Sequence, residues 1–185
     1  MKHLMYFGVL AFLATGCNRK SEYHAIERAE LARGVRQDSL FEGLYLGMGR
    51  TEFREHCLKK NRQRKFVDGA YGKVQFKTAA FGDSATMLFY PDFVDEKISQ
   101  MPVLVAYSGW APWNEHLNSE VLEKNVRSSL LKQYGGNEFV AVKGEGEKTA
   151  WVKVDGNRRI TVYRFTDSDV KIIFKDLSVT EATHP

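Results

Sequence analysis

The sequence predicts an α+β fold in which two helix-plus-antiparallel-strand units form a two-layer domain, with helices on one face of a sheet. Apolar residues recur at helical spacing in two separate segments. Each of those segments is followed by shorter runs in which apolar and polar residues alternate with period two. The resulting order is helix, three strands, helix, four strands, and such runs of neighbouring strands favour an antiparallel sheet.

The composition predicts one soluble domain carried on a short N-terminal extension. The chain has 185 residues, of which 43% are hydrophobic and 27% charged, as is usual for a globular protein. Its net charge of +4 is too small to indicate nucleic acid as a partner. We expect a signal peptide over 1–16, a lipidated N-terminus and spacer helix over 17–38, one α+β domain over 39–179 and a flexible tail over 180–185.

The first sixteen residues have the organisation of a signal peptide. Lys2 and His3 are polar, residues 4–13 are apolar, and residues 14–16 are small, as a peptidase site requires. A ten-residue apolar run is too short to cross a bilayer, which needs about 20 residues. The segment therefore predicts export rather than a membrane-spanning anchor.

Leu13-Ala14-Thr15-Gly16-Cys17 resembles the lipobox of bacterial lipoproteins. The resemblance implies a diacylglycerol on the Cys17 thiol, cleavage before that residue and a membrane partner held through lipid. Each buried CH₂ contributes about 0.8 kcal/mol, so two or more chains anchor stably. Asn18, in place of the Asp that marks inner-membrane retention, favours the outer membrane with the domain facing the periplasm. The alternative is an ordinary secretory signal with an incidental cysteine.

The two helical segments that precede the first strands have recognisable ends. Residues 21–33 form the spacer helix, with Ser21 as a cap and Gly34 as a stop. It either serves as a spacer or packs on the domain. Residues 51–61 form the next helix, with Thr51 as its N-cap. The basic run over 59–65 suits a helix C-terminus; it is either a solvated helix end or a contact for anionic lipid.

The remaining elements follow from alternation and turn residues. Ser119 caps a helix over 119–133, which Gly135 and Gly136 end. Asp155-Gly156-Asn157 predicts a tight hairpin, because Asp-Gly readily supplies a positive φ. The predicted strands are 73–78, 85–90, 101–108, 139–143, 149–154, 158–164 and 170–175.

Three family resemblances accompany this pattern. Leu46-Gly47-Met48 leading into Thr51-Glu52-Phe53 is similar to the helix opening of BamE-like small outer-membrane lipoproteins, which implies an assembly role. The helix-then-sheet unit, present twice, resembles the beta-lactamase-inhibitor-protein architecture. Most of the mature chain looks like uncharacterised lipoproteins of Bacteroidetes, which implies no activity. The segments that carry this last resemblance are 110–114, 134–137 and 154–159.

The last four strands predict a candidate binding face. Val152, Val154 and the apolar residues of the later strands fall on one parity and predict the core face. The other parity places Trp151, Arg159 and Tyr163 together with several lysines. Aromatic and basic groups on one face suit an acidic protein surface or a sugar-phosphate polymer. The alternative is an ordinary solvated face, in which long basic stems cover the aromatic rings.

A second candidate site is the segment containing Trp110 and Trp113, which flank Ala111-Pro112 just after a strand. Two indoles on a proline-stiffened loop suit a platform for a sugar or peptide. The alternative is a lid over the edge of the core, with each indole N–H bonded to a carbonyl.

Signals for an enzyme are poor. His56 and Cys57 are adjacent on a predicted helix and point about 100° apart, which does not suit a nucleophile and base. The sequence contains no residues at the spacing of a metal-binding motif, no phosphate-binding loop and no dinucleotide-binding motif. We therefore expect no catalytic residue, metal or cofactor. With Cys17 lipidated, Cys57 has no disulfide partner and is expected to be a buried thiol.

These observations favour a non-enzymatic, membrane-anchored module that binds an envelope protein or supports envelope assembly. A glycan- or small-ligand-binding lipoprotein centred on Trp110 and Trp113 is the first alternative. An envelope hydrolase with an unrecognised site is the second, since residues from distant segments can converge.

Overall fold

A computed structural model describes residues 19–143 and 149–179; the predicted signal peptide, Cys17 and the predicted tail over 180–185 lie outside them. The described residues form a mixed α+β fold with three α-helices and nine strands. The helices are α1 (Arg19–Ala32), α2 (Arg50–Arg62) and α3 (Ser119–Tyr134). The strands are β1 (Phe66–Asp68), β2 (Val74–Thr78), β3 (Ala85–Phe89), β4 (Asp92–Val94), β5 (Lys97–Tyr107), β6 (Val140–Lys143), β7 (Thr149–Asp155), β8 (Arg158–Arg164) and β9 (Asp169–Asp176).

One antiparallel sheet contains all nine described strands. Its spatial order is β1-β2-β3-β5-β9-β8-β7-β6, and β4 pairs with β5 outside this path. The seven predicted strands are confirmed, with small shifts at their ends. Sequence patterning missed β1 and β4 because a three-residue strand is too short to show alternation. β9, the last strand in the chain, lies between β5 and β8 and so joins the earlier strands to the later ones.

The helices occur where they were predicted, but the three predicted N-caps are wrong. Ser21 lies inside α1, which already includes Arg19. Gly49 is the N-cap of α2, and its first turn has no side-chain cap, so Thr51 lies inside the helix. In α3 the cap is Asn118, whose side chain accepts a hydrogen bond from the backbone N–H of Val121 at 3.0 Å. Ser119 is the first residue of that helix. An Asn is as good an N-cap as a Ser, so composition alone does not separate neighbouring candidates.

The main core lies on the face of the sheet that α3 covers, called here the α3 face. Leu122, Val126 and Leu130 of α3 pack against it. The predicted core residues of β8 and β9 are on this face, where the cross-strand pairs Ile160–Phe174 and Val162–Ile172 form two adjacent rows of side chains. Buried residues of β3 and β5 continue these rows toward β1.

Helix α1 packs on the opposite face of the sheet from α3. Tyr23 and Ile26 of α1 form a separate apolar cluster with Val152 and Val154 of β7. The contacts of α1 are with β6 and β7, at one edge of the sheet. Helix α1 therefore packs on the domain instead of standing away from it as a spacer.

The predicted hairpin after β7 is confirmed. Asp155 pairs with Arg158, which leaves Gly156 and Asn157 as a two-residue turn, and Gly156 has a φ of +55°. A side chain at Gly156 would also meet the carbonyl oxygen of Val35 at 2.1 Å. The turn thus requires glycine for two reasons, its positive φ and the close approach of the segment that follows α1.

Candidate functional site

The face of the sheet opposite α3 is partly covered by α1 and is open elsewhere in the described part of the chain. Two cross-strand rows run across it: Leu88–Leu104–Lys171–Tyr163 and Pro102–Ile173–Thr161. Each of these side chains is half-buried, and no helix among the described residues packs on them. We call this surface the open face; its residues are Leu88, Pro102, Leu104, Thr161, Tyr163, Lys171 and Ile173.

The open face combines apolar and basic groups. Lys171 lies in its centre, with its Nζ 5.6 Å from the centroid of the Phe165 ring. Lys77 is exposed on β2, and Lys175 pairs across the sheet with Gln100 and Arg159 on the same side. A half-buried apolar surface with lysines over it is suited to a partner that carries acidic groups beside an apolar patch.

Arg159 lies on the side of this face where α1 begins to cover it, and its charge is used within the protein. Its Nη1 donates to the Tyr23 hydroxyl at 2.9 Å and to Glu27 Oε1 at 3.2 Å. Tyr23 in turn donates to the Glu27 carboxylate. Burial, followed by this bond to Glu27, raises the pKa of Tyr23 to about 12. Arg159 therefore holds α1 on the sheet and marks the margin of the open face.

The prediction that Trp151, Arg159 and Tyr163 share a face is wrong for Trp151. Trp151 pairs with Val162 of the core, so its side chain is on the α3 face. There the guanidinium of Arg127 lies 3.8 Å from the ring centroid. Val152 and Val154, predicted for the core face, are instead beneath α1. Both faces of β7 are covered, so apolar residues on one parity do not identify the core side.

Trp110 and Trp113 lie in the segment between β5 and α3 and differ in exposure. Trp110 is 37% exposed and Trp113 is 80% exposed. Asn114 fixes this segment by donating to the carbonyl oxygen of Gly109 at 2.9 Å. The exposed Trp113 indole is therefore the member of the pair that is available to a ligand.

A buried polar cluster at the β7–β8 hairpin was not anticipated from the sequence. The Lys153 side chain has no solvent exposure. Its Nζ donates to the Asn137 carbonyl oxygen and lies 2.8 Å from Asp155 Oδ2. The backbone N–H of Asn137 donates to Asp155 Oδ1 at 2.8 Å. Arg158, 1% exposed, donates to the Ser39 carbonyl oxygen at 2.7 Å. We call Lys153, Asp155, Arg158 and Asn137 the hairpin cluster.

The end of α1 is bonded to the hairpin cluster through Glu30. The Glu30 carboxylate accepts from the backbone N–H of Gly156 at 2.9 Å, from Asn137 Nδ2 at 3.0 Å and from Arg33 at 2.9 Å. Burial raises the pKa of Glu30, but these hydrogen bonds outweigh it and hold the pKa below its usual value.

The segment after α1 is bonded to the same end of the sheet. Asn157 Nδ2 donates to Asp38 at 2.9 Å, and Arg36 donates to Asp38 at 2.7 Å and to Asp176 at 3.0 Å. Asp176 is 2% exposed; burial raises its pKa, while hydrogen bonds led by that of Ser178 lower it overall. Asp176 is buried and paired, whereas its partner Arg36 is more than half exposed. Lys153, Asp155 and Arg158 are buried with charged or polar partners, which makes the hairpin cluster structural.

His56 and Cys57 do not form a catalytic pair. His56 Nε2 is 2.9 Å from the carbonyl oxygen of Glu42. Cys57 is half-buried, and burial raises the pKa of its thiol to about 11. A thiol with so high a pKa is almost fully protonated at neutral pH and is a poor nucleophile.

The described residues contain no group of three or more His, Cys, Asp or Glu side chains placed to hold a metal ion. Within the same ranges, none of the helices has the length and apolar character needed to span a bilayer. Comparison of the chain with known protein families, curated proteins and solved structures finds no match.

Proposed function

We propose that this protein is a lipid-anchored envelope protein, held at the outer membrane through Cys17, that binds an acidic protein partner through its open face. The observation that carries the proposal is that two rows of half-buried apolar and basic side chains cross the sheet with no described helix over them. Burial of apolar area supplies the affinity for a partner, and Lys171 selects for negative charge.

The position of α1 supports placing a tether and a partner on the same side of the sheet. Cys17 is two residues before Arg19, the first residue of α1, so the tether between them spans at most about 7 Å. Because α1 packs on the face that continues into the open face, a lipid at Cys17 would hold that side of the sheet near the membrane. Partners there would be envelope proteins.

We also describe the fold as two units on one sheet. Helix α2 followed by β1–β5 makes the first, and α3 followed by β6–β9 makes the second. The observations behind this description are the chain order and the packing of α3 on β8 and β9.

Photocrosslinking in the native envelope tests the partner. A photoreactive amino acid replaces Ile173 or Leu104 on the open face; in the control it replaces Lys124, exposed on α3. The proposal requires both open-face positions to crosslink the same protein, and Lys171→Glu to reduce both crosslinks at least fivefold. Equal crosslinking from Lys124, or insensitivity to Lys171→Glu, would contradict it.

The 80% exposure of Trp113 supports a second candidate function, the binding of a saccharide. Stacking of a sugar ring on an exposed indole would be the main contact. Retention of an envelope saccharide by the protein, together with loss of that retention in Trp113→Ala, would favour this function over a protein partner.

A further inference from the structure

A cavity of about 140 Å³ enters the main core from the α3 face of the sheet. It lies between the last turns of α3, the segment that joins α1 to α2, and strands β2, β3 and β9. The core residues Met87 and Ile172 line it from the sheet, and Leu130 lines it from α3. The cavity is thus a gap in the layer that covers the sheet, on the side away from the open face.

Five of the residues that line the cavity are aromatic: Phe41, Phe76, Phe81, Phe174 and Tyr134. A space of about 150 Å³ holds a molecule of the size of benzene. Ring edges and faces attract another ring in offset or edge-on geometry. Size and lining together therefore favour a single aromatic ring as the occupant.

The aromatic walls are held in place by contacts with one another and with residues outside the cavity. Phe41 packs edge-on against Phe89, with 4.9 Å between ring centroids, and Tyr134 packs edge-on against Phe174 at 6.1 Å. The other side of the Tyr134 ring is covered by the Arg158 guanidinium, 4.2 Å from the ring centroid. Because these rings are fixed before a ligand arrives, binding costs little ordering of side chains.

The mouth of the cavity favours a neutral ligand. Glu42, Gln133 and Thr78 line it there. The Glu42 carboxylate is paired with Lys60 Nζ at 2.7 Å and with Lys65 Nζ at 3.4 Å, so it does not need a charge from the ligand. We infer that this cavity binds a small neutral compound with one aromatic ring, whose polar substituent faces Gln133 and Thr78. This inference does not depend on the proposed partner, which would bind the opposite face.

The experiment is a titration of the full chain carrying Cys17→Ser with indole, followed by methyl NMR. The methyl groups of Met87 and Ile172 report on the cavity, and that of Ile173 reports on the opposite face. We expect the Met87 and Ile172 signals to shift and saturate below about 1 mM indole, with no saturable shift at Ile173. Absence of saturation at Met87 and Ile172, or an equal shift at Ile173, overturns the inference.

Two substitutions at exposed positions test whether indole enters through the mouth. Gln133→Trp and Ala80→Leu place larger side chains at exposed lining positions and are expected to weaken binding at least tenfold. Lys124→Trp, exposed on the outer side of the same helix as Gln133, is the matched control and should leave binding unchanged. Unchanged affinity in both mouth variants, or the same saturable shifts with glucose, would overturn the inference.

Discussion

The charged residues of the hairpin cluster stabilise the folded protein only while each is paired with its oppositely charged neighbour. Lys153 and Asp155 are removed from water, and such a transfer is offset only by a close ion pair and further hydrogen bonds. Asp155 supplies the ion pair to Lys153 and also accepts a hydrogen bond from the backbone N–H of Asn137. Removing one member leaves the other as an unpaired buried charge, which costs more than the pair contributes.

Asp155→Ala is therefore expected to be strongly destabilising. It leaves the Lys153 ammonium and the Asn137 N–H without their carboxylate acceptor, and we expect a loss of about 3–5 kcal/mol in the free energy of unfolding. Urea denaturation followed by circular dichroism measures the change.

The control for this prediction is Glu120→Ala. Glu120 pairs with Lys124 at 2.8 Å, but both side chains are more than half exposed, so its removal should leave the free energy of unfolding almost unchanged. Similar losses in the two variants would show that burial does not govern the energetics of the hairpin cluster.

At the scale of elements, α1 is held by a few contacts at its two ends. Tyr23 and Glu27 reach Arg159 near its start, and Glu30 reaches the backbone of Gly156 near its end. A groove of about 290 Å³ lies between the helix and β6–β7, so the apolar packing beneath it is incomplete. Helix α1 should thus open more readily than the sheet on which it lies.

Glu30→Gln is expected to loosen α1 at neutral pH. The neutral amide loses the charge-assisted bonds from Gly156, Asn137 and Arg33, and bonds to a charged group contribute about 1.5–3 kcal/mol each. We expect amide hydrogen exchange in α1 to become at least tenfold faster while exchange in β5 and β9 is unchanged. Mass spectrometry of exchanged peptides measures both.

Acid should have the same effect on the unsubstituted protein. The pKa of Glu30 is lowered in the folded state, so its contribution to stability is present above its ordinary pKa and is lost as pH falls through the lowered value.

Arg28→Gln, which removes a charge from an exposed position of the same helix, is the control for Glu30→Gln. If it accelerates exchange as much as Glu30→Gln, the bond to the hairpin does not hold α1.

The elements show where sequence reasoning succeeds and where it fails. Long alternating runs such as β5 and β8, and the Gly156 turn, were predictable because period and turn chemistry are local properties. The face on which Trp151 lies was not predictable. Strand β7 is buried on both sides, so its sequence pattern does not show which side faces the main core. The hairpin cluster was not predictable, because charged residues in an alternating strand are expected to be exposed and their partners are not visible in the pattern. Its bonds to Glu30 and Ser39 also join segments more than a hundred residues apart in the chain.

The residues of the open face were also predictable only in part. Alternation placed Tyr163 and several basic residues on one face. Tyr163 and Lys171 do lie side by side on the open face, but Lys153 is buried on the α3 face and Arg159 lies at the margin. Leu88, Pro102 and Leu104, which extend that face, were not inferred. They belong to strands distant in sequence, and only the insertion of β9 beside β5 places them in the same rows.

At the scale of the whole molecule, the proposed tether and the open face lie on the same side of the sheet. The open face lies on the side of the sheet where α1 packs, and α1 begins two residues after Cys17. The aromatic-lined cavity lies on the other side. If the chain is lipidated at Cys17, the two faces of one sheet would serve different ligands, a protein partner near the membrane and a small compound away from it.

The central claim is that lipid on Cys17 anchors this protein, and metabolic labelling with a fatty-acid analogue tests it most directly. In the native host, the unsubstituted chain should incorporate the label and fractionate with the envelope, as should the control Cys57→Ser. Cys17→Ser should lose the label completely and leave the membrane fraction. Label that persists in Cys17→Ser, or an unlabelled chain with Cys17 intact, would contradict the account.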